Sequence, residues 1–462
     1  MTYSEKLSQF IYSNHFDAIP PHVISRAKIH LLDSLGVALA GTVQNNAING
    51  RNGLHKMPNT QGKCRVWGSS YTFSPAYAAL ANGIAAHVLD FDDTHTDSIT
   101  HGSAVLVPLV IALTEDLNLN SREMLAAYVT GWEIAARVGL TAKGTFHKRG
   151  FHSTAIAGIF GAVSGAASLL NLSPIACAHA LGLAGSQASG IAEYLTNSSS
   201  AKCFHAGWAA HSGILSAYLA EAGMTGPLSV FEGRFGLFAT HGIQSEINAA
   251  DVCRELGEHW EIMRVSVKPY PCCHFAHATV DCARMLIRDG IKPEEVKHIL
   301  CVVDPIASAL ICEPIDDKFS PQTPYAAKFS LPYLVASGMI DDGLSLESFS
   351  PEQLNRTDVL ELARKVSYRY SEEGEIPFPA YFPGLISVTL KDGREMTKRL
   401  NVNYGNPENP MKNSDVEQKF RNNVRGILSP KATEKVIQLV ADIENHPVTE
   451  LTQWLTNTVN SR

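Results

Sequence analysis

Ala155-Ile-Ala-Gly-Ile-Phe-Gly-Ala-Val-Ser-Gly-Ala-Ala-Ser-Leu-Leu170 is apolar on every side of a helical wheel and holds Gly158, Gly161 and Gly165 at helical intervals. It falls short of the ~20 residues needed to span a bilayer. Its small side chains instead let a neighbouring backbone approach closely, so it reads as a buried helix inside a bundle. Upstream the same character persists. From Pro20 to about Gly223 apolar residues recur three and four apart, as in Val23-Ile24-Ala27-Ile29-Leu31-Leu32 and Met124-Leu125-Tyr128-Val129-Trp132, while strand signals are scarce. Ser121 and Ser173-Pro174 look like helix starts.

The pattern changes after about residue 265. Lys297 to Val303 is short and β-branched, and Leu385 to Leu400 carries an Asp392-Gly393 turn between two alternating runs, a hairpin signal. Helices are expected over Phe275–Arg288, near Ser330–Gly338, and in the charged tail over Ser414–Leu428 and Lys431–Glu444. A chain of 462 residues exceeds the roughly 250–300 residues at which one core stops growing. The reading is therefore mostly α: a large helical domain, a smaller α/β domain after about residue 265, and a helical tail that packs back on the first domain.

Composition excludes several functions. Hydrophobic residues at 45% and charged residues at 18% give an ordinary globular balance. The net charge of -7, with Lys and Arg scattered, argues against nucleic acid. No segment suggests a membrane span, and the first residues lack a basic region followed by an apolar stretch, so export is not indicated. Nine cysteines without a C-x-x-C pair argue against a disulfide framework or an iron–sulfur cluster and fit a reducing cytoplasm. Nucleotide, dinucleotide, nucleophile-elbow and zinc-protease motifs are missing.

What remains is polar chemistry at the edges of small-residue helices. Asp90-Phe-Asp-Asp-Thr-His-Thr-Asp-Ser-Ile-Thr-His101 crowds four carboxylates and two imidazoles between apolar segments, at a helix C-terminus that disfavours negative charge. His87, Asp92, His95 and His101 could converge on a metal, although the spacing fits no recognised ligand pattern; no metal is expected. Further clusters surround His152, Lys202 and Lys268, and Tyr333 is either a core aromatic or a site hydroxyl. Two lysines to hold carboxylates, several histidines that exchange protons near neutrality, and an aspartate to orient them suit an acidic substrate.

Asp90-Phe-Asp-Asp-Thr94 followed by His101-Gly-Ser-Ala, then Gly150-Phe-His152, Lys202-Cys-Phe-His-Ala-Gly207, Phe231-Glu-Gly-Arg and Lys268-Pro-Tyr-Pro-Cys-Cys-His together resemble the MmgE/PrpD family. That family includes 2-methylcitrate dehydratases, cis-aconitate decarboxylases and iminodisuccinate epimerases. The resemblance implies a large all-helical domain built from both termini, 1–265 plus 402–462, an inserted smaller α/β lid domain, 266–401, a homodimer, a site in a cleft between the two domains, and chemistry on small di- or tricarboxylates without metal or cofactor. It implies His101, His152, Asp90 and Tyr333 as catalytic residues, and Lys202, Lys268 and Thr94 as substrate-binding residues. One departure is Cys273, where animal decarboxylases carry a histidine, which makes His274 or His277 the candidate substitute. The leading expectation is a lyase removing water or CO2; the alternatives are an epimerase acting next to a carboxylate and a catalytically silent binding protein.

Overall fold

The computed structural model describes residues 1–197, 199–378 and 381–456. They form two compact units, Met1–Val267 with Lys412–Arg462, and Lys268–Met411. The fold is mostly α with small sheets. The sequence reading ended the inserted domain at 401; residues 402–411, which follow the last strand without regular structure, belong to the second unit.

The first unit is built on α1 (Pro21–Gly41), α2 (Pro75–His87), α3 (Ser103–Leu117), α4 (Ser121–Ala142), α5 (Ser153–Leu169), α6 (Ala201–Glu221) and, from the far end of the chain, α7 (Asn413–Asn423). The opening apolar stretch is most of α5, buried along nearly its whole length. Its small residues act as expected: a Cβ on Gly161 would stand 2.6 Å from the Gly131 carbonyl of α4. Helix α4 begins at Ser121 itself, one residue earlier than a Ser121 cap would place it. Asn120 is the cap, sharing a reciprocal capping box with Glu123, because its side chain reaches the third amide of the helix. Ser173 does cap its helix through the Ala176 amide.

Two helices cross closely enough to fix the site's frame. A Cβ on Gly207 of α6 would lie 2.3 Å from the Leu80 carbonyl of α2, and one on Gly83 would lie 2.6 Å from the Gly207 Cα. This crossing ties the end of α2, where His87 stands, to the start of α6, which carries Lys202 and His205.

In the second unit β1 (Val296–Val303), β2 (Val366–Tyr370), β3 (Gly384–Leu390) and β4 (Glu395–Leu400) form one sheet in the order β2-β1-β3-β4. The β1–β2 pair is parallel and the others antiparallel. The Asp392-Gly393 turn closes the β3–β4 hairpin, with Gly393 at φ 91°. Residues 384, 386, 388 and 390 of β3 alternate into the core, and the helices His277–Arg288 and Leu331–Ile340 contribute its other apolar residues. Tail helices end earlier than the sequence suggests, at Asn423 and Ala441.

Gly207→Ala is expected to lower the thermal unfolding midpoint, since overpacking costs about 1–3 kcal/mol. Gly53→Ala, in an exposed helix with nothing within 4 Å of its added Cβ, should leave the midpoint unchanged or raise it. Equal effects of the two would contradict the close crossing.

Candidate active site

The loop between α2 and α3 is buried despite its charge: Asp92 is 0% and Asp93 1% exposed. A buried carboxylate persists only with partners, and each of these has them. Asp90 adopts φ 54°, a left-handed turn just after α2, and its Oδ1 pairs with Lys202 Nζ at 2.6 Å. Asp92 Oδ2 lies 2.7 Å from His87 Nδ1. The Asp93 carboxylate accepts from the Ser103 amide at 3.3 Å and from the Ser103 hydroxyl, which also meets Tyr128 and Trp132; His30 Nδ1 stands 3.2 Å away. Burial pushes the Asp93 carboxyl up to about 7, against the lowering effect of the Ser103 hydrogen bond and with the Asp92 charge adding to the rise.

Behind the loop, Lys419 of α7 pairs with Asp33 of α1 at 2.6 Å, donates to the Phe91 carbonyl at 3.2 Å, and stands 3.9 Å over the Phe91 ring. Thr94–His95 pairs antiparallel with Val265–Ser266, and His95 bridges to Thr100, so the segment folds back on itself before reaching α3. His95 takes no part in the cluster: its Nδ1 accepts from the Ser98 amide and its Nε2 donates to Glu261.

His101 enters just ahead of α3. Its Nδ1 lies 2.9 Å from the Asp93 carbonyl, 3.1 Å from Thr94 Oγ1 and 3.5 Å from Asp92 Oδ2. A carbonyl can only accept, so the Nδ1 proton is fixed and Nε2 is the exchanging nitrogen. His152 stands at the N-cap of α5, its ring 6.5 Å from that of His101. Its Nδ1 meets His205 Nδ1 at 3.2 Å, which requires one ring to donate and the other to accept. Burial, then the neighbouring His87, Lys202 and other histidines, hold His152 well below the usual imidazole range; burial likewise lowers His205 to about 4. His152 is therefore a neutral ring at physiological pH.

Asp90, Thr94, His101, His152 and Lys202 are thus gathered within one unit. The remaining candidates lie in the second. Lys268 opens that unit and is buried. His274 Nε2 accepts from Asn403 Nδ2 at 2.9 Å, His277 Nε2 donates to the Cys272 carbonyl at 3.2 Å, and the two rings are 4.8 Å apart. Tyr333 is fully buried in the second unit, packs on Phe349 and donates to the Ser348 carbonyl at 2.6 Å. No disulfide joins the described cysteines.

The sequence reading weighed His87 only as a possible metal ligand and gave neither it nor His205 a part in catalysis. The donor atoms of His87, Asp92 and His101 lie within 4.8 Å of one another, near enough for one cation. Hydrogen bonding accounts for this grouping, since His87 Nδ1 is on Asp92 and His101 Nδ1 is on the Asp93 carbonyl.

Comparison with known proteins gives the chain a family. Residues 5–250 match the MmgE/PrpD N-terminal domain and residues 270–445 the MmgE/PrpD C-terminal domain. The chain is similar to the cis-aconitate decarboxylase of Homo sapiens, 30% identical over 455 residues that cover 96% of this chain and 92% of that one. It is similar to the Mus musculus enzyme of the same name at 27% identity, covering 96% and 91% of the two chains. The corresponding Aspergillus terreus enzyme is 26% identical over 95% and 92%. With both domain models matched in order across most of its length, the chain belongs to the MmgE/PrpD family.

Proposed function

We propose that this protein, an enzyme of the lyase type, releases CO2 from a small tricarboxylate of the cis-aconitate kind and needs no cofactor to do so. One observation carries the reading: an exchanging imidazole nitrogen on His101, the Lys202–Asp90 ion pair and the neutral His152 share a single buried cluster. The names of the three relatives above, each a cis-aconitate decarboxylase aligned over nearly the full chain, support the choice of substrate.

The chemistry follows from the substrate. One carboxylate of cis-aconitate sits on a saturated carbon beside the double bond. When its C–C bond breaks, CO2 leaves and the electron pair forms a new double bond, displacing the old one towards a carbon that bears another carboxylate. That carbon takes one proton. A positioned cation stabilises the charge as it develops, and a positioned acid completes the step. In this assignment His101 gives the proton from Nε2, with Thr94 and the Asp93 carbonyl holding the ring. Lys202 binds a substrate carboxylate; an ammonium has three donors, so this is compatible with its bond to Asp90. His152 offers a neutral hydrogen-bonding face, and Lys268 is the second carboxylate clamp, with His274 or His277 beside it. The same reading carries a cytoplasmic homodimer.

Purified protein incubated with cis-aconitate, citrate, 2-methylcitrate and iminodisuccinate, followed by proton NMR, should show CO2 loss from cis-aconitate. Water loss from a hydroxy acid would make it a dehydratase. Solvent deuterium entering recovered substrate, with neither loss, would make it an epimerase.

His101→Ala is expected to lower kcat about 10²–10⁴-fold, the range of general acid catalysis, with the fold kept by circular dichroism; full turnover would remove His101 from its role. Lys202→Met should cut kcat/KM more than Asp90→Asn does, because it leaves the Asp90 charge facing an anionic substrate. The double variant should be no worse than Lys202→Met alone. Enzyme treated with EDTA and desalted should keep its full rate; a loss restored by a divalent cation would contradict the metal-free reading.

A further inference from the structure

His87 closes α2 with its ring 2% exposed. Its Nδ1 is 2.7 Å from Asp92 Oδ2. An ionised carboxylate only accepts, so the proton sits on Nδ1 and Nε2 presents a lone pair. That Nε2 is buried and has no hydrogen-bond partner. Leaving a buried acceptor unsatisfied costs about 1–3 kcal/mol, and an orphan of this kind calls for an explanation. Its setting supplies one. The ring lies 5.1 Å from that of His101 and stacks at 17° on His152, 5.5 Å away. The oxygen that holds it is also 3.5 Å from His101 Nδ1. A carboxylate, an imidazole fixed on Nδ1 and an unpartnered lone pair on Nε2 form the acid/base half of a catalytic triad.

We propose that Asp92 and His87 form a second proton-transfer dyad that reloads His101. The inference rests on the lyase reading above, because each decarboxylation consumes one proton. His101 gives that proton to the product carbon and is left neutral. His87 then takes a proton from solvent on Nε2, Asp92 balances the charge of the imidazolium, and the proton passes to His101 Nε2. One proton enters and one is delivered per turnover. His87 is the transferring group and Asp92 the residue that positions it.

Reloading is separable from chemistry by rapid mixing. Asp92→Asn keeps the side chain's shape but allows the wrong His87 tautomer, and His87→Gln removes the exchanging nitrogen. Both should give a first turnover at the wild-type rate, a burst of about one product per site, and a steady-state rate at least tenfold lower with KM little changed. Small buffer acids such as imidazole at high concentration should restore part of the steady-state rate, and the double variant should be no slower than either single one. An unchanged steady state would overturn the proposal. So would a first turnover slowed as much as the rest, which would place the pair in bond breaking or in folding. If wild-type enzyme loses water instead of CO2, no net proton is consumed in a turnover and the reloading role falls with the decarboxylase reading; CO2 loss with an unchanged steady state in the variants would overturn the dyad alone. Long-range 15N–1H correlation of histidine-labelled protein gives an arm independent of turnover: the His87 signal, assigned by its loss in His87→Gln, should show the proton on Nδ1. A proton on Nε2 would overturn the proposal.

Discussion

The ion pair between Lys419 and Asp33 is the contact on which the polar cluster depends. Both side chains are nearly or fully buried, and the lysine also holds the Phe91 carbonyl and ring. Breaking such a pair on one side typically costs about 3–5 kcal/mol, because the remaining charge is stranded. Phe91 lies between Asp90 and Asp92, so the ammonium that neutralises Asp33 also sets the path of the backbone from which three carboxylates project. Asp93 turns back towards His30, Ser103 and Tyr128, while Asp90 and Asp92 turn towards Lys202 and the histidines. The alternation lets one short loop serve two environments.

Burial then sorts the titrating groups. In the same apolar surroundings a carboxyl rises and an imidazole falls, as Asp93 and His152 do. The result is a set of histidines distinguished by their partners: His101 against a carbonyl, His152 against His205, His87 against a carboxylate. Three rings of one residue type can thereby take different parts in moving a proton.

Periodicity exposed what is local. The small-residue helix at 155–170, the hairpin at Asp392-Gly393 and the change of character near 265 all rest on neighbours within one or two turns, and all are present. The crowded run from Asp90 to His101 also announced itself, because so much charge between apolar helices needs a reason. What was hidden depends on distant partners. Lys419 reads as one more charge in a solvated tail helix until Asp33, far away in sequence, is seen beside it. His87 looks like a core position because its helix is apolar all round.

The second unit is inserted between Val267 and Lys412, so the helix carrying Lys419 is translated only after it. Most of the first unit leaves the ribosome with Asp33 buried or burying and its counter-charge still about 150 residues away. At bacterial to eukaryotic elongation rates that interval is on the order of ten seconds. Until it ends, the nascent bundle has neither the cation that neutralises Asp33 nor the donor that holds Phe91. The loop from Asp90 to His101 is thus completed only after the second unit has been made, and a product terminated before Lys419 has most of its helices without the contact that sets that loop.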